Sequence, residues 1–437
     1  MKKVRSRASA VLLIAAAVLA LLGLFVLEYV KDGGRWAAFI SNGDAYASGS
    51  LRAGTVTDRD GEILYLASEG QARYAADEET RRATLHVVGD RELRIGTGAI
   101  FRYAEAILSW DPLNGLWDPA GKGGTLTLSV DAGVHRAALE ALGGRRGAVA
   151  VINYKTGEVV CAASSPTFDP EDPPETVEDG SGVYLNRAIS AAFTPGSTYK
   201  LVTLTAAIEC IPDLFERDFE CDGVYEIGGG RVTCPRAHGK MKIEDALASS
   251  CNCVFGALAV ELGGEIMDRY AERLGITSGH FVDSLRTAAG RFDVGGEGSL
   301  ELAWSGAGQY HDLVCPMTMA RLAAAIAAGG TAPALTQLRG VSGDGERIME
   351  EETAARLAEM MDYCVFRTYG DEKFPGLDLC AKSGTAETGA EKPTAWFTGF
   401  LVDPDHPYAF AVVVEDAGSG AGAAGPVANA VLQAAVR

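Results

Sequence analysis

Ser197 and Lys200, three residues apart in TPGSTYKLVT, are the pair in this chain most able to do covalent chemistry. A serine hydroxyl is a weak nucleophile until a base takes its proton. Residues i and i+3 share a helix face. A helix beginning near Ser197 therefore sets the lysine amine beside the hydroxyl, and the serine N–H at the positive end of the helix dipole. Lysine serves as that base only if burial or a neighbouring cation lowers its pKa. Surface helices produce such pairs by chance, yet S-x-x-K occurs once in this sequence.

Two further groups carry polar chemistry. Ser250-Cys251-Asn252 is the only S-x-N in the chain. Ser250 can relay a proton and Asn252 can hold a substrate amide, although residues of these types also cap helix ends. Lys382-Ser383-Gly384-Thr385, in AKSGTAETG, falls in a predicted strand. Gly384 lets another backbone approach. Lys382 offers a cation to a carboxylate and helps depress the pKa of Lys200. Alone, the group reads as an edge strand with an exposed lysine. A second triplet, Lys155-Thr156-Gly157 in NYKTGEVV, precedes Ser197 and sits where two apolar β runs need a turn. It is read as that turn.

The elements that must position these groups follow from periodicity. GAVAVIN (147–153) and EVVCAAS (158–164) are β runs, as are 377–387, 395–403 and 408–416. Helical patterns cover 197–210, 242–262, 316–329 and 351–366, with a last helix over 425–436. Strands at both ends with helices between predict one sheet assembled from both chain ends. The acidic, Pro-rich 166–182 segment is expected to be a solvated loop. Upstream, 31–146 reads as a small α/β region. It has a hairpin over 51–67 turning at Asp60-Gly61, a short helix over 100–108, and a strand then a helix capped by Asp131 over 125–142.

S-x-x-K, S-D-N and K-T-G in that order are the signature of penicillin-binding proteins and class A β-lactamases, and here the groups run 197, 250, 382. The chain resembles the penicillin-binding transpeptidases, most closely the class B, single-function type. GTVTDRDGEIL (54–64) resembles that family's membrane-proximal segment, with Arg52 slightly displaced. The 147–170 stretch resembles the opening of its catalytic domain, and LNRAIS (185–190) precedes the nucleophile as it does there. GAGQY (306–310), 315–330 and AWFTGF (395–400) resemble the segments around the third motif.

The resemblance implies an α+β fold, with an antiparallel sheet flanked by helices. It implies that Ser197 is acylated, that Lys200 is its base, and that Ser250 and Asn252 form the second motif. Lys382, Ser383, Gly384 and Thr385 would bind substrate, and the N–H groups of Ser197 and Thr385 would receive the oxyanion. Ser383 departs from the usual threonine, Tyr310 stands where glycine is common, and the N-terminal region is short.

The implied activity is peptidoglycan D,D-transpeptidation, with acylation by β-lactams and no cofactor. A D,D-carboxypeptidase would use the same residues. A class A β-lactamase needs a glutamate in an E-x-x-x-N loop between motifs two and three, and no asparagine lies between Asn252 and Asn429. A silent scaffold should have lost a motif residue, and none is lost.

Composition fits this setting. The chain has 437 residues and a net charge of −19, which argues against nucleic-acid binding. Its N-terminus is the exception. Lys2, Lys3, Arg5 and Arg7 precede 20 uncharged residues, Ala8 to Leu27, enough to cross a bilayer. The expectation is an uncleaved signal anchor with its basic end in the cytoplasm rather than a cleaved signal peptide. The expected division is 1–30 anchor, 31–146 non-catalytic region and 147–437 catalytic domain, with a membrane glycan polymerase as a candidate partner. The nine cysteines are too sparse for a disulfide scaffold. Cys221 and Cys234 flank a Gly-rich turn, so a local bridge is open to them. No metal site is expected, because neither C-x-x-C nor H-E-x-x-H occurs.

Overall fold

The computed structural model describes residues 2–47, 50–68, 71–116, 121–178 and 180–437. Helix α1 (Lys2–Ala37) contains the expected anchor, and its apolar span is long enough to cross a membrane and is exposed. Strands β1 (Gly54–Thr57) and β2 (Ile63–Ser68) form the predicted hairpin. They are joined by β3 (Gln71–Tyr74) and, in parallel with β1, by β4 (Thr125–Thr127), giving a sheet of order β3-β2-β1-β4. The Asp77 carboxylate caps α2 (Glu78–Val88), accepting from Thr80 N at 2.7 Å. The helix expected over 100–108 is two short ones, α3 (Ala99–Arg102) and α4 (Ala104–Ile107), broken at Tyr103. Asp131 caps α5 (Ala132–Leu142) through Val134 N at 2.9 Å, as its spacing predicts.

The second sheet begins with the hairpin β5 (Gly147–Asn153) and β6 (Val159–Ser165). Lys155-Thr156-Gly157 is its turn. There the Asn153 carboxamide accepts from both Lys155 N and Thr156 N, and Gly157 takes φ 79°. The acidic loop is solvated from 171 to 176, but not free. The Arg81 guanidinium grips Asp169 at 2.6 and 2.7 Å, and Arg91 pairs with Glu171. The loop thus straps residues 71–91 to the larger sheet.

Helix α6 (Lys200–Cys210) leads into a small lobe. The lobe contains β7 (Phe219–Cys221), β8 (Val224–Ile227), β9 (Gly230–Thr233) and β10 (Gly239–Met241), paired β8 with β9 and β7 with β10. The helical pattern over 242–262 is interrupted. It forms α7 (Ile243–Ala248) and α8 (Asn252–Leu262), separated by Ser249, Ser250 and Cys251. Beyond two intervening helices, Gly264–Arg273 and Leu300–Gly306, lie α9 (Pro316–Ala327) and α10 (Glu351–Cys364). The chain ends in β11 (Leu379–Ala386), β12 (Thr394–Leu401), β13 (Tyr408–Val414) and α11 (Gly425–Ala435).

The sheet order is β11-β12-β13-β5-β6, all antiparallel. Both chain ends therefore build one sheet, as the pattern of strands predicts. β12 and β13 are buried at every position, so both faces need covering. Helix α9 covers one face, and α5 with α11 the other.

Arg187 ties the segment before the nucleophile to this sheet. Its side chain is 2% exposed, pairs with Glu415 at 2.9 Å, and donates to Gly182 O at 2.8 Å. Removing one partner of such a pair strands the other groups. Arg187→Ala should lower unfolding free energy by about 3 kcal/mol, read as a lower denaturant midpoint at unchanged slope.

Candidate active site

Ser197 is reached through a forced turn. Gly196 has φ 55°, and a Cβ there would stand 2.9 Å from Thr385 N, so the nucleophile segment runs hard against the end of β11. Trp396 Nε1 donates to Thr194 O at 2.8 Å and anchors the same segment to β12. The helix expected from Ser197 opens instead as a 3₁₀ turn, Gly196–Tyr199, with α geometry starting at Lys200. Three residues per turn aligns i with i+3 more closely than an α-helix does. Lys200 Nζ accordingly lies 2.7 Å from Ser197 Oγ.

Four oxygens surround that nitrogen. The other three are Asn252 Oδ1 at 2.8 Å, Ser250 O at 3.1 Å and Ser250 Oγ at 3.2 Å. A neutral amine has two N–H donors and one lone pair. The two carbonyl oxygens, of Asn252 and Ser250, can take the donors, which leaves the lone pair for the Ser197 O–H. Lys200 is fully buried. Burial, and then the positive charge of Lys382, hold its pKa well below 10.5. Burial brings Lys382 down to about 8, which still leaves it mostly protonated at neutral pH.

Ser250 stands between the two lysines. Its Oγ lies 3.2 Å from Nζ of each. Its φ of 55° is unusual for a side-chain-bearing residue. The loop is held in that shape by Cys251 N donating to Ala246 O at 2.9 Å and by Thr368 Oγ1 donating to Ala248 O at 2.8 Å. Asn252 gives one amide hydrogen to Thr233 O at 2.9 Å, so it also ties α8 to the β7–β10 lobe.

Lys382 pairs with Thr398, Gly384 with Trp396 and Thr385 with Ala395, which puts the third group on the edge strand of the sheet. A Cβ on Gly384 would stand 2.5 Å from Pro195 O, so this position must be glycine for the nucleophile turn to seat. All the sequence-predicted site residues are thus brought to one place.

Sequence reasoning missed Tyr369. Its buried hydroxyl accepts from Ser383 N at 2.7 Å and lies 3.0 Å from Ser383 Oγ, locking the strand. No spacing signal marked it. Gln309, within the GAGQY stretch, donates to Thr385 O at 3.0 Å. Tyr310 has φ 72°, a left-handed conformation that glycine adopts far more readily than tyrosine.

A cleft of about 780 Å³ opens beside Ser250, Lys382 and Ser383. Arg236, Lys240 and Arg367 also line it, with Asp245 as its one acid. A chain of net charge −19 thus gathers cations at this cleft.

The cysteines behave unexpectedly. Cys221 and Cys234 are free thiols with Sγ atoms 3.8 Å apart. Spacing alone gives no reason to expect a metal site, yet Cys221, Cys234, His238 and Cys251 place their ligand atoms within 4.8 Å of one another.

A serine hydroxyl beside a buried lysine of depressed pKa, in a turn abutting an antiparallel sheet, defines the class of serine acyltransferases. Comparison with known proteins is specific within that class. The chain belongs to the family described as "Penicillin binding protein transpeptidase domain", whose sequence model matches residues 147–433.

Among curated relatives, the peptidoglycan D,D-transpeptidase PbpA of Mycolicibacterium smegmatis is 26% identical, over 89% of this chain and 90% of its own length. Its Mycobacterium tuberculosis counterpart is 24% identical over the same shares. The fold matches that of penicillin-binding protein A from M. tuberculosis, solved as a ceftriaxone acyl-enzyme. The TM-score is 0.78 at 21% identity, covering 89% of this chain and 99% of that one. A D,D-transpeptidase domain from Eggerthella lenta is 25% identical with a TM-score of 0.73, covering 88% and 99%.

Proposed function

We propose that this protein is a membrane-anchored peptidoglycan D,D-transpeptidase acylated on Ser197. The observation that carries the reading is the chain Ser197–Lys200–Ser250–Lys382, two buried lysines joined through a serine hydroxyl. Neutral Lys200 takes the Ser197 proton as Oγ attacks the carbonyl carbon of the penultimate D-alanine. The oxyanion is received by the N–H groups of Ser197 and Thr385. The proton passes by way of Lys200 and Ser250 to the departing D-alanine nitrogen as the peptide bond breaks. An amine from a neighbouring stem peptide then attacks the ester carbonyl, gives up a proton along the same relay, and returns Ser197 to its hydroxyl form.

Lys382 and the Thr385 side chain meet the terminal carboxylate. The edge position of β11 suits a peptide adding alongside at Thr385, beyond the point where Tyr369 holds Ser383 and Gly384 seats the nucleophile turn. The cationic cleft suits an anionic stem peptide. A β-lactam mimics the dipeptide and traps the ester. Residues 147–437 form the catalytic domain and 31–146 a non-catalytic region suited to a membrane glycan polymerase. The basic start of α1 stays in the cytoplasm, and the catalytic domain faces outward.

The test uses full-length protein in detergent. Fluorescent penicillin should give a long-lived adduct, and a D-Ala-D-Ala stem peptide should release D-alanine and form a cross-link to an added amine. Transfer to water alone would make the protein a carboxypeptidase, and rapid loss of the label a β-lactamase. Lys382→Ala should slow acylation about 10²-fold, whereas Lys155→Ala should leave it unchanged. The opposite pattern would move the third motif to the turn at 155–157.

A further inference from the structure

We propose that Cys221, Cys234, His238 and Cys251 form a tetrahedral zinc site that clamps the Ser250 loop to the β7–β10 lobe. A zinc–sulfur bond of about 2.3 Å gives a tetrahedron with sulfur–sulfur edges of about 3.8 Å, and sulfur–imidazole edges of about 3.6 Å. The Sγ atoms of Cys221 and Cys234 are 3.8 Å apart, and those of Cys234 and Cys251 3.7 Å. Cys221 Sγ lies 3.6 Å from His238 Nδ1. Three thiolates and an imidazole are a zinc donor set in both softness and number. A disulfide would use two of these sulfurs and give the third, and the imidazole, no reason to converge.

The lobe needs such a clamp. β8 has no buried position, β9 buries only Val232, and β7 and β10 contribute Cys221 and Met241. So little apolar burial cannot hold four short strands, and metal binding supplies folding free energy directly. The ligands sit where the clamp acts. Cys221 ends β7, Cys234 follows β9, His238 precedes β10, and Cys251 is the N-cap of α8, between Ser250 and Asn252. Binding Zn²⁺ displaces three thiol protons and leaves the site with one net negative charge.

Cys253 N donates to Cys234 Sγ at 3.5 Å, a supporting contact of the kind that metal thiolates receive. The Cys253 thiol lies 3.5 Å from Cys234 Sγ and also reaches Val232 O at 3.7 Å, but it is not one of the four converging ligands. His238 and Ser250 both line the cleft, so the metal fixes one of its walls. The zinc therefore acts as a positioning element, remote from the bonds that break.

The test is the metal content of full-length protein purified in detergent without chelator, measured by mass spectrometry. About one zinc per chain is expected, and Co²⁺ in its place should show the absorption of a tetrahedral thiolate complex. The Cys221→Ser/Cys234→Ser double variant should lose the metal, while Cys253→Ser and Cys210→Ser keep it. Stripping the wild type should slow penicillin acylation about tenfold, and restoring zinc should recover it. Metal-free protein with a disulfide among Cys221, Cys234 and Cys251 on peptide mapping would overturn the proposal. So would zinc that survives the double substitution. Metal content is read without reference to acylation, so the site can fail while the acyltransferase reading stands.

Discussion

Full-length protein carrying Ser197→Ala should form no covalent penicillin adduct by intact-mass measurement. D-Alanine release should fall by at least about 10⁴-fold, the scale on which loss of an acyl nucleophile is felt. The geometry leaves no substitute. Ser250 shares the two lysines, but its Oγ sits on a loop held by Ala246 O and Thr368, away from the Gly196 turn that abuts Thr385. Thr198 is buried with its hydroxyl on Pro195 O at 2.8 Å. Recognition should survive, because Lys382 and the edge of β11 do not depend on the serine hydroxyl. Stem-peptide affinity is expected to stay within about threefold, and the thermal midpoint should hardly move, since Ser197 is only half-buried. Residual acylation at Ser250 would move the nucleophile to the second motif.

Much of this site was legible because its chemistry is local or ordered. Ser197 and Lys200 need only helical spacing, and the order of the three groups along the chain supplies the rest. Strand composition identified β5, β12 and β13 because strands buried on both faces are written as near-continuous apolar runs. What escaped depends on tertiary approach. The break at Ser250 is invisible in a helical pattern that continues through 242–262; its φ is imposed by Thr368 and Ala246 from outside the motif. Tyr369 reaches Ser383 across a turn that has no signature of its own. The C-x12-C-x3-H-x12-C spacing matched no short motif, and only the folding of two hairpins over the start of α8 brings its ligands together. Asp169 and Glu171 looked like solvated loop residues, and their arginine partners lie on a separate region of the chain.

Lys200→Met should separate activity from stability in opposite directions. Removing a positioned general base costs roughly 10²–10⁴-fold, and the Ser197 hydroxyl also loses the lone pair it faces, so acylation should fall about 10³-fold or more. For the wild type, the apparent second-order acylation rate should rise with pH as Lys200 gives up its proton. It should then fall as Lys382 discharges near pH 8. The methionine variant should keep the falling limb and lose the rising one, since only the group at Lys382 still titrates.

The stability sign follows from proton counting. The folded-state pKa of Lys200 is depressed, and the unfolded chain titrates near 10.5. Between those values the unfolded state holds a proton that the folded state lacks, so this residue makes stability rise with pH across that window. At neutral pH the buried amine is therefore a liability, and an apolar side chain of similar length relieves it. Lys200→Met should melt higher than the wild type at pH 7, with the gap narrowing toward pH 10. A gap between variant and wild type that stays constant from pH 7 to pH 10 would mean that Lys200 is held charged in the fold, and the assignment of the base would have to be abandoned.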